Sequence, residues 1–151
     1  MYVSFENEKG KIKMSGGGTE RWNIIDIVGL GLPEKEFNTV RYAGNDGQEL
    51  LSVFALSRAI TIKGDIQELH NITSELEKAI AILNCEGYLK IISGKKKRKI
   101  KCRCETFDLS ERNGAYQPFI IQFIADNPYF EDLKSTKVSL FQRIDRVTLP
   151  F

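Results

Sequence analysis

The chain has 151 residues, of which 42% are hydrophobic, and its 22 basic and 20 acidic side chains give a formal net charge of +2. That length suits one domain with a core of its own, and the near balance of charge excludes a general drive towards nucleic acid or anionic membrane. No apolar run approaches the roughly 20 residues of a membrane helix, and the opening MYVSFENEKG lacks the basic start and apolar stretch of a secretion signal.

Tyr2–Glu6 alternates apolar and polar residues as a strand does, and Asn7–Lys11 (NEKGK) is a turn from which Lys11–Met14 returns as the second arm of a hairpin. Ser15–Gly18 is a flexible connection. Trp22–Val28 (WNIIDIV) is rich in branched and aromatic residues and reads as a strong strand closed by Gly29–Pro33. Thr39–Tyr42 is a brief extended piece, and Gly44–Gly47 (GNDG) has the chemistry of a turn, because Asn, Asp and Gly tolerate positive φ. Glu49–Ala55 and Arg58–Lys63 are the next strands, with Ile60 and Ile62 on one face and Thr61 and Lys63 on the other.

Leu69–Leu83 is the only segment with a sustained helical period. Leu69, Ile72, Leu76, Ala79, Ile80 and Leu83 recur at steps of three and four, so they share one face of a helix over about 71–83. Asn71 or Thr73 can cap its start, and Glu75 and Glu77 favour the positive end of its dipole. One amphipathic helix cannot bury its stripe alone, so a sheet must cover it. Gly87–Ser93 and Arg98–Thr106 then form a hairpin around Gly94–Lys97, with Ile100, Cys102 and Cys104 on its inner face. Asp108–Gln117 is a polar loop. Pro118–Ala125 is apolar on both faces, as in a central strand, and Asp126-Asn127-Pro128 ends it. Tyr129 and Phe130 supply apolar area for the core or for a subunit seam, and Thr136–Leu149 alternates weakly as a last strand or arm. About nine short strands and one helix give an α+β fold dominated by antiparallel β.

No stretch carries a catalytic, cofactor or metal motif. Gly29-x-Gly31 is followed by Pro33 rather than a helix, so it is a strand-end turn and not a dinucleotide fingerprint; Gly16–Gly18 lacks the Lys-Ser/Thr of a phosphate loop. His70 is the single histidine and reads as a surface residue. Cys85, Cys102 and Cys104 with His70 could form a zinc set, but C-x-C spacing is poor for a structural site, and free thiols in a reducing compartment are the simpler reading. Asn71-Ile72-Thr73 fits a glycosylation pattern by accident. Lys95–Lys101 (KKKRKIK) is the sharpest local feature: either a nucleic-acid contact, or a solvated hairpin end whose lysines resist edge pairing. The absence of interleaved aromatic residues favours the second.

The ordered set of Trp22–Leu32 ending in GLGLP, YAGNDG at Tyr42–Gly47, SRAITIKG at Ser57–Gly64, one helix, a strand pair and FIADNPYF at Phe123–Phe130 resembles the N-terminal domain of the siphophage distal tail protein, or phage tail component. The resemblance spans nearly the whole chain. It implies a β-sandwich or split barrel with one flanking helix, related to tail tube proteins, and a structural, non-enzymatic role without cofactor, metal or catalytic residues. It implies a hexameric ring at the end of the tail tube, joined to tube protein on one side and to a tail-associated lysin or fibre protein on the other. DNA would pass through the lumen without specific binding. The location would be the virion tail, assembled in the bacterial host cytoplasm. A baseplate or tube component of a contractile phage-like particle is the neighbouring alternative. Residues 1–151 would be one ring-forming belt domain, with 134–151 a terminal strand or arm leading to a C-terminal, carbohydrate-binding type of domain found in many members; the chain is then a short or truncated member. Candidate ring seams are the hairpin Tyr2–Met14, the Leu32–Asn38 loop and Val138–Phe151.

Overall fold

The structure, a computed structural model, describes residues 1–41, 43–44, 47–112 and 114–132. Ten strands and one helix follow the chain: β1 (Tyr2–Asn7), β2 (Gly10–Ser15), β3 (Trp22–Val28), β4 (Lys35–Val40), β5 (Glu49–Ala55), β6 (Arg58–Ile66), α1 (Ile72–Leu83), β7 (Gly87–Ser93), β8 (Lys96–Leu109), β9 (Gln117–Ala125) and β10 (Glu131–Asp132). Seven of them close on themselves in the order β8-β7-β1-β2-β3-β6-β9 and back to β8. Strands β4 and β5 form a separate two-stranded sheet.

Closure depends on β8. Its 14 residues serve two partners: the first half pairs with β7, from Lys96 opposite Ser93 to Cys102 opposite Gly87, and the second half pairs with β9, from Arg103 opposite Ile124 to Leu109 opposite Phe119. A bulge between Cys104 and Thr106 bends the strand where it changes partner. The opposite seam is a short parallel contact, Met14 with Trp22 and Ser15 with Asn23. All other neighbouring strands run antiparallel.

The barrel interior follows from period-2 alternation. Strand β9 buries Gln117, Phe119, Ile121, Phe123 and Ala125 and half-buries the residues between them. On β6, Ile60 faces Phe123, Ile62 faces Ile121 and Gly64 faces Phe119. Gly64 is the position where no side chain fits: a Cβ there would stand 2.0 Å from the Asn23 carbonyl oxygen and 2.9 Å from Phe119 Cζ. Its neighbour β3 bulges between Ile24 and Asp26, so the backbone comes close where the Phe119 ring needs room. Phe119 in turn meets the Trp22 ring edge-on at 5.0 Å, and Phe5 meets Phe123 at 4.9 Å.

The expected α+β sandwich or split barrel with a flanking helix is therefore corrected: the molecule is a mostly-β closed seven-stranded barrel with one short helix. The physical reason is that a closed sheet fills its own interior with side chains and needs no second layer. The helix instead packs where β1 turns into β2 and β3 begins. Asn7 Nδ2 donates to the carbonyls of Ile82 (2.7 Å) and Cys85 (3.2 Å), tying the end of the helix and the residues after it to the β1–β2 turn. The Trp22 indole N–H donates to Glu75 at 3.0 Å. The buried helical residues are Ile72, Ala79, Ile82 and Leu83, with Leu69 and Leu76 half-buried, so the stripe is turned towards Ile82 and leaves Ile80 exposed. Asn71 stands at the N-cap in the left-handed region, φ 56°, and makes no side-chain capping bond. The suggested terminal strand at 134–151 and half of the YAGNDG stretch lie outside the described residues.

Candidate assembly surface

The residues weighed for chemistry are not brought together. Cys102 is buried inside the barrel, where desolvation pushes its thiol up to about 12; Cys104 is half-buried and pushed up to about 11, by burial and then by Glu105. Such thiols are poor nucleophiles at neutral pH. His70 stands exposed in the loop before the helix, where its backbone carbonyl accepts from Arg21. Among the described residues there is no group of three or more His, Cys, Asp or Glu placed to hold a metal. Among the described residues no helix is long and apolar enough to cross a membrane.

Strand alternation divides the basic run. Ile100 points into the core and Lys101 outward, where it pairs with Glu86 at 3.5 Å. Lys99 lies 3.8 Å from Glu131, and its ammonium sits over the Tyr88 ring at 4.9 Å. Arg98 and Lys96 line a groove with Leu30, Ile91 and Phe130. The run is thus the two faces of one barrel strand rather than a single cationic tip.

A cluster of exposed apolar side chains lies elsewhere. Between β3 and β6 the chain leaves the barrel and returns as the β4–β5 hairpin, referred to below as the arm. Its strands pair Phe37 with Val53 and Thr39 with Leu50, a bulge at Leu51 bringing that residue alongside. Lys35, Phe37, Thr39, Leu51, Val53 and Ala55 therefore share one face with Leu50 beside them, and the other face carries Glu36, Asn38, Ser52 and Phe54. Phe37 is 59% exposed, Leu51 57%, Leu50 53% and Val53 44%. Those fractions leave on the order of 400 Å² of mainly apolar surface on one face, within the roughly 300–600 Å² of the largest patch on a typical monomer, a patch that is often functional. Leu32, in the turn leading to the arm, is 87% exposed. Of the suggested seams, Leu32–Asn38 falls on this arm. The hairpin Tyr2–Met14 is built into the barrel, with Val3, Phe5, Ile12 and Met14 in its interior. Val138–Phe151 lies outside the described residues.

The root of the arm is tied down by Arg58, which is buried. Its guanidinium donates to the carbonyls of Gly29 (2.7 Å), Gly31 (2.5 Å) and Pro128 (2.7 Å), and it lies 4.8 Å from the Phe130 ring centroid. Gly29 and Gly31 precede the arm and Arg58 follows it, so one side chain joins both ends to the segment after β9. Gly29 has φ +103°, and a Cβ there would stand 2.0 Å from the Ala59 carbonyl oxygen, so only glycine serves at this corner. The Leu56 N–H to Glu34 carbonyl bond, 2.7 Å, closes the root. Burial lowers the Arg58 proton affinity from the usual guanidinium value. Sequence reading missed this clamp, since its acceptors are backbone carbonyls and carry no side-chain signature. A signal was present in the three motif stretches GLGLP, SRAITIKG and ADNPYF, which meet at this one guanidinium.

The fold is similar to that of the SPP1 Dit protein. Dit is described as a paradigm of the hub of the adsorption apparatus in phages that infect Gram-positive bacteria. The two share 12% sequence identity and a TM-score of 0.63, over 87% of this chain and 52% of the Dit chain. The chain thus spans about half the length of the Dit structure it matches. At that identity the likeness is one of fold; it accords with the distal-tail resemblance read from the motifs without assigning the family. No family model and no curated protein matches the chain.

Proposed function

We propose that this protein is a structural subunit of a phage tail, acting as a hub at the distal end of the tail tube. In this reading copies assemble side by side into a ring, six by the resemblance. The ring connects tube protein to a tail lysin or fibre protein, with DNA passing through its lumen unbound. Residues 1–151 form its ring-building domain, and the protein works as a component of the virion tail without catalysis. What supports this reading is a barrel with the Dit fold that carries an arm whose apolar face has no cover among the described residues. The basic run does not favour a nucleic-acid module, since Lys99 and Lys101 already have carboxylate partners. Immunogold labelling of phage particles released by the host strain tests the proposal. Label confined to the distal tail tip is the expected result; absence of the chain from purified particles by mass spectrometry contradicts it.

A further inference from the structure

We propose that Arg58 couples two weakly held parts of the molecule, so that lifting the strap that follows β9 (residues 128–132) loosens the root of the arm. The coupling follows from geometry within one chain and is independent of the tail-hub reading.

The pivot is fixed in the barrel. Arg58 is the first residue of β6 and pairs with Ala125, the last of β9. Its side chain is buried and reaches two ways. Nη1 donates to the carbonyls of Gly29 and Gly31, in the turn that leads to the arm. Nε donates to the carbonyl of Pro128, and Cζ lies 4.8 Å from the centroid of the Phe130 ring, both in the strap. A guanidinium is planar and rigid, so its donors move together. A rotation that follows the strap takes Nη1 away from the turn.

Both parts joined by this group are marginal. The arm is a two-stranded sheet of its own, which is at best barely stable in water. The strap pairs with the barrel over two residues, Glu131 opposite Lys99 and Asp132 opposite Arg98. The Lys99–Glu131 ion pair, at 3.8 Å, has an exposed carboxylate and adds little. Hollows flank Phe130 on both sides, one lined by Met1, Ile91 and Lys96, the other by Leu32, Pro33 and Tyr129. The ring therefore has room to leave its seat without displacing a barrel strand. Strands β6 and β9, by contrast, share nine residue pairs. Elements held this weakly open locally while the rest of a fold stays closed.

With the strap in place, Pro128 and Phe130 hold the guanidinium where Gly29 and Gly31 are in reach. With the strap lifted, those two contacts go and the group is free to turn towards water. The closed strap and the closed root thus favour each other, and by linkage the effect is reciprocal. A pull on the chain beyond Asp132, or an apolar group entering a hollow beside Phe130, would be felt at the arm. A static clamp would make the arm sensitive to changes at Arg58 alone; coupling makes it sensitive to changes in the strap as well.

Hydrogen exchange followed by NMR on the full chain is the test. The Leu56 N–H, bonded to the Glu34 carbonyl at 2.7 Å, reports the root of the arm, and the amides of β6 and β9 report the barrel. Phe130→Ser removes the ring, and Glu131→Lys sets a second ammonium opposite Lys99. Together they should speed exchange at Leu56 about fivefold and leave the β6 and β9 amides as in wild type. If the pair melts the barrel, Glu131→Lys alone is read in the same way. Added to Arg58→Met, the strap changes should alter Leu56 exchange by less than about twofold, because the linking side chain has gone. Added to Arg58→Lys, which keeps a charge without the rigid fork, they should have an intermediate effect; that separates a lost link from an arm already fully open. Leu56 exchange within twofold of wild type after the strap changes overturns the coupling. So does an equal acceleration with and without Arg58, which would carry the effect by another route.

Discussion

Replacing Arg58 by Met tests how the arm is held to the barrel. The substitution keeps a long apolar stem and removes every donor. Three charge-assisted bonds disappear, to Gly29, Gly31 and Pro128, together with the contact over Phe130. Bonds from a charged donor contribute about 1.5 kcal/mol or more each, and a cation over a ring about 1 kcal/mol. Two offsets reduce the sum. Gly31 is exposed and Gly29 half-buried, so water can reach the Gly31 carbonyl most readily, whereas Pro128 is buried. A buried Met also avoids the desolvation that lowers the Arg58 proton affinity. The net loss is about 3 kcal/mol, which for a domain of this size lowers Tm by about 6–12 °C. Differential scanning calorimetry at one fixed protein concentration measures it, since the proposed assembly would make Tm concentration-dependent. A fall of less than about 2 °C, near 0.5–1 kcal/mol on the same scale, would refute the claim that this guanidinium holds the root.

Other consequences are equally direct. Gly64→Ala places a methyl group 2.0 Å from the Asn23 carbonyl oxygen and should cost at least about 3 kcal/mol, seen as a lower denaturant midpoint; a midpoint equal to wild type would show that the β3–β6 approach is looser than described. The Glu6 carboxyl is held below its ordinary value, chiefly by its hydrogen bond with Lys90. Because its folded value lies below the unfolded one, the stability it contributes is present above the unfolded pKa and is lost as pH falls through the folded value. Glu6 and Lys90 are partly exposed, so the contribution is under about 1 kcal/mol; Glu6→Gln should flatten the acid limb of the stability–pH curve by that amount, and an unchanged limb would remove the pair from the account. The Cys102 thiol, buried and raised to about 12, should react with a disulfide reagent at pH 8 only upon unfolding, so rapid labelling of Cys102 in the native protein would contradict its place inside the barrel.

Much of the local structure was legible because alternation is a local signal. Trp22–Val28, Glu49–Ala55, Gly87–Ser93 and the helix lie where their patterns place them. Closure was not legible, for two reasons. The second half of β8 contains Glu105, Thr106 and Asp108, which read as the end of a strand and the start of a loop, although these residues pair with β9 and complete the ring of strands. The parallel contact of β2 with β3 is only two residue pairs long and has no pattern of its own. One member of the helical stripe was misread, Ile80 for Ile82, because the two are equally apolar and the Asn7–Gly10 turn is what covers Ile82. The arm was half visible. Strand β5 is plainly β-like, but Lys35, Glu36 and Asn38 disguised β4 as a loop with a short extended end. They face solvent because this hairpin is a ribbon apart from the barrel, and Phe37 is the one side chain of β4 that marks the apolar face.

Electron microscopy of the purified wild-type chain at high concentration tests the central claim most directly. The account expects closed rings. Fields of isolated 17.2 kDa particles would contradict it.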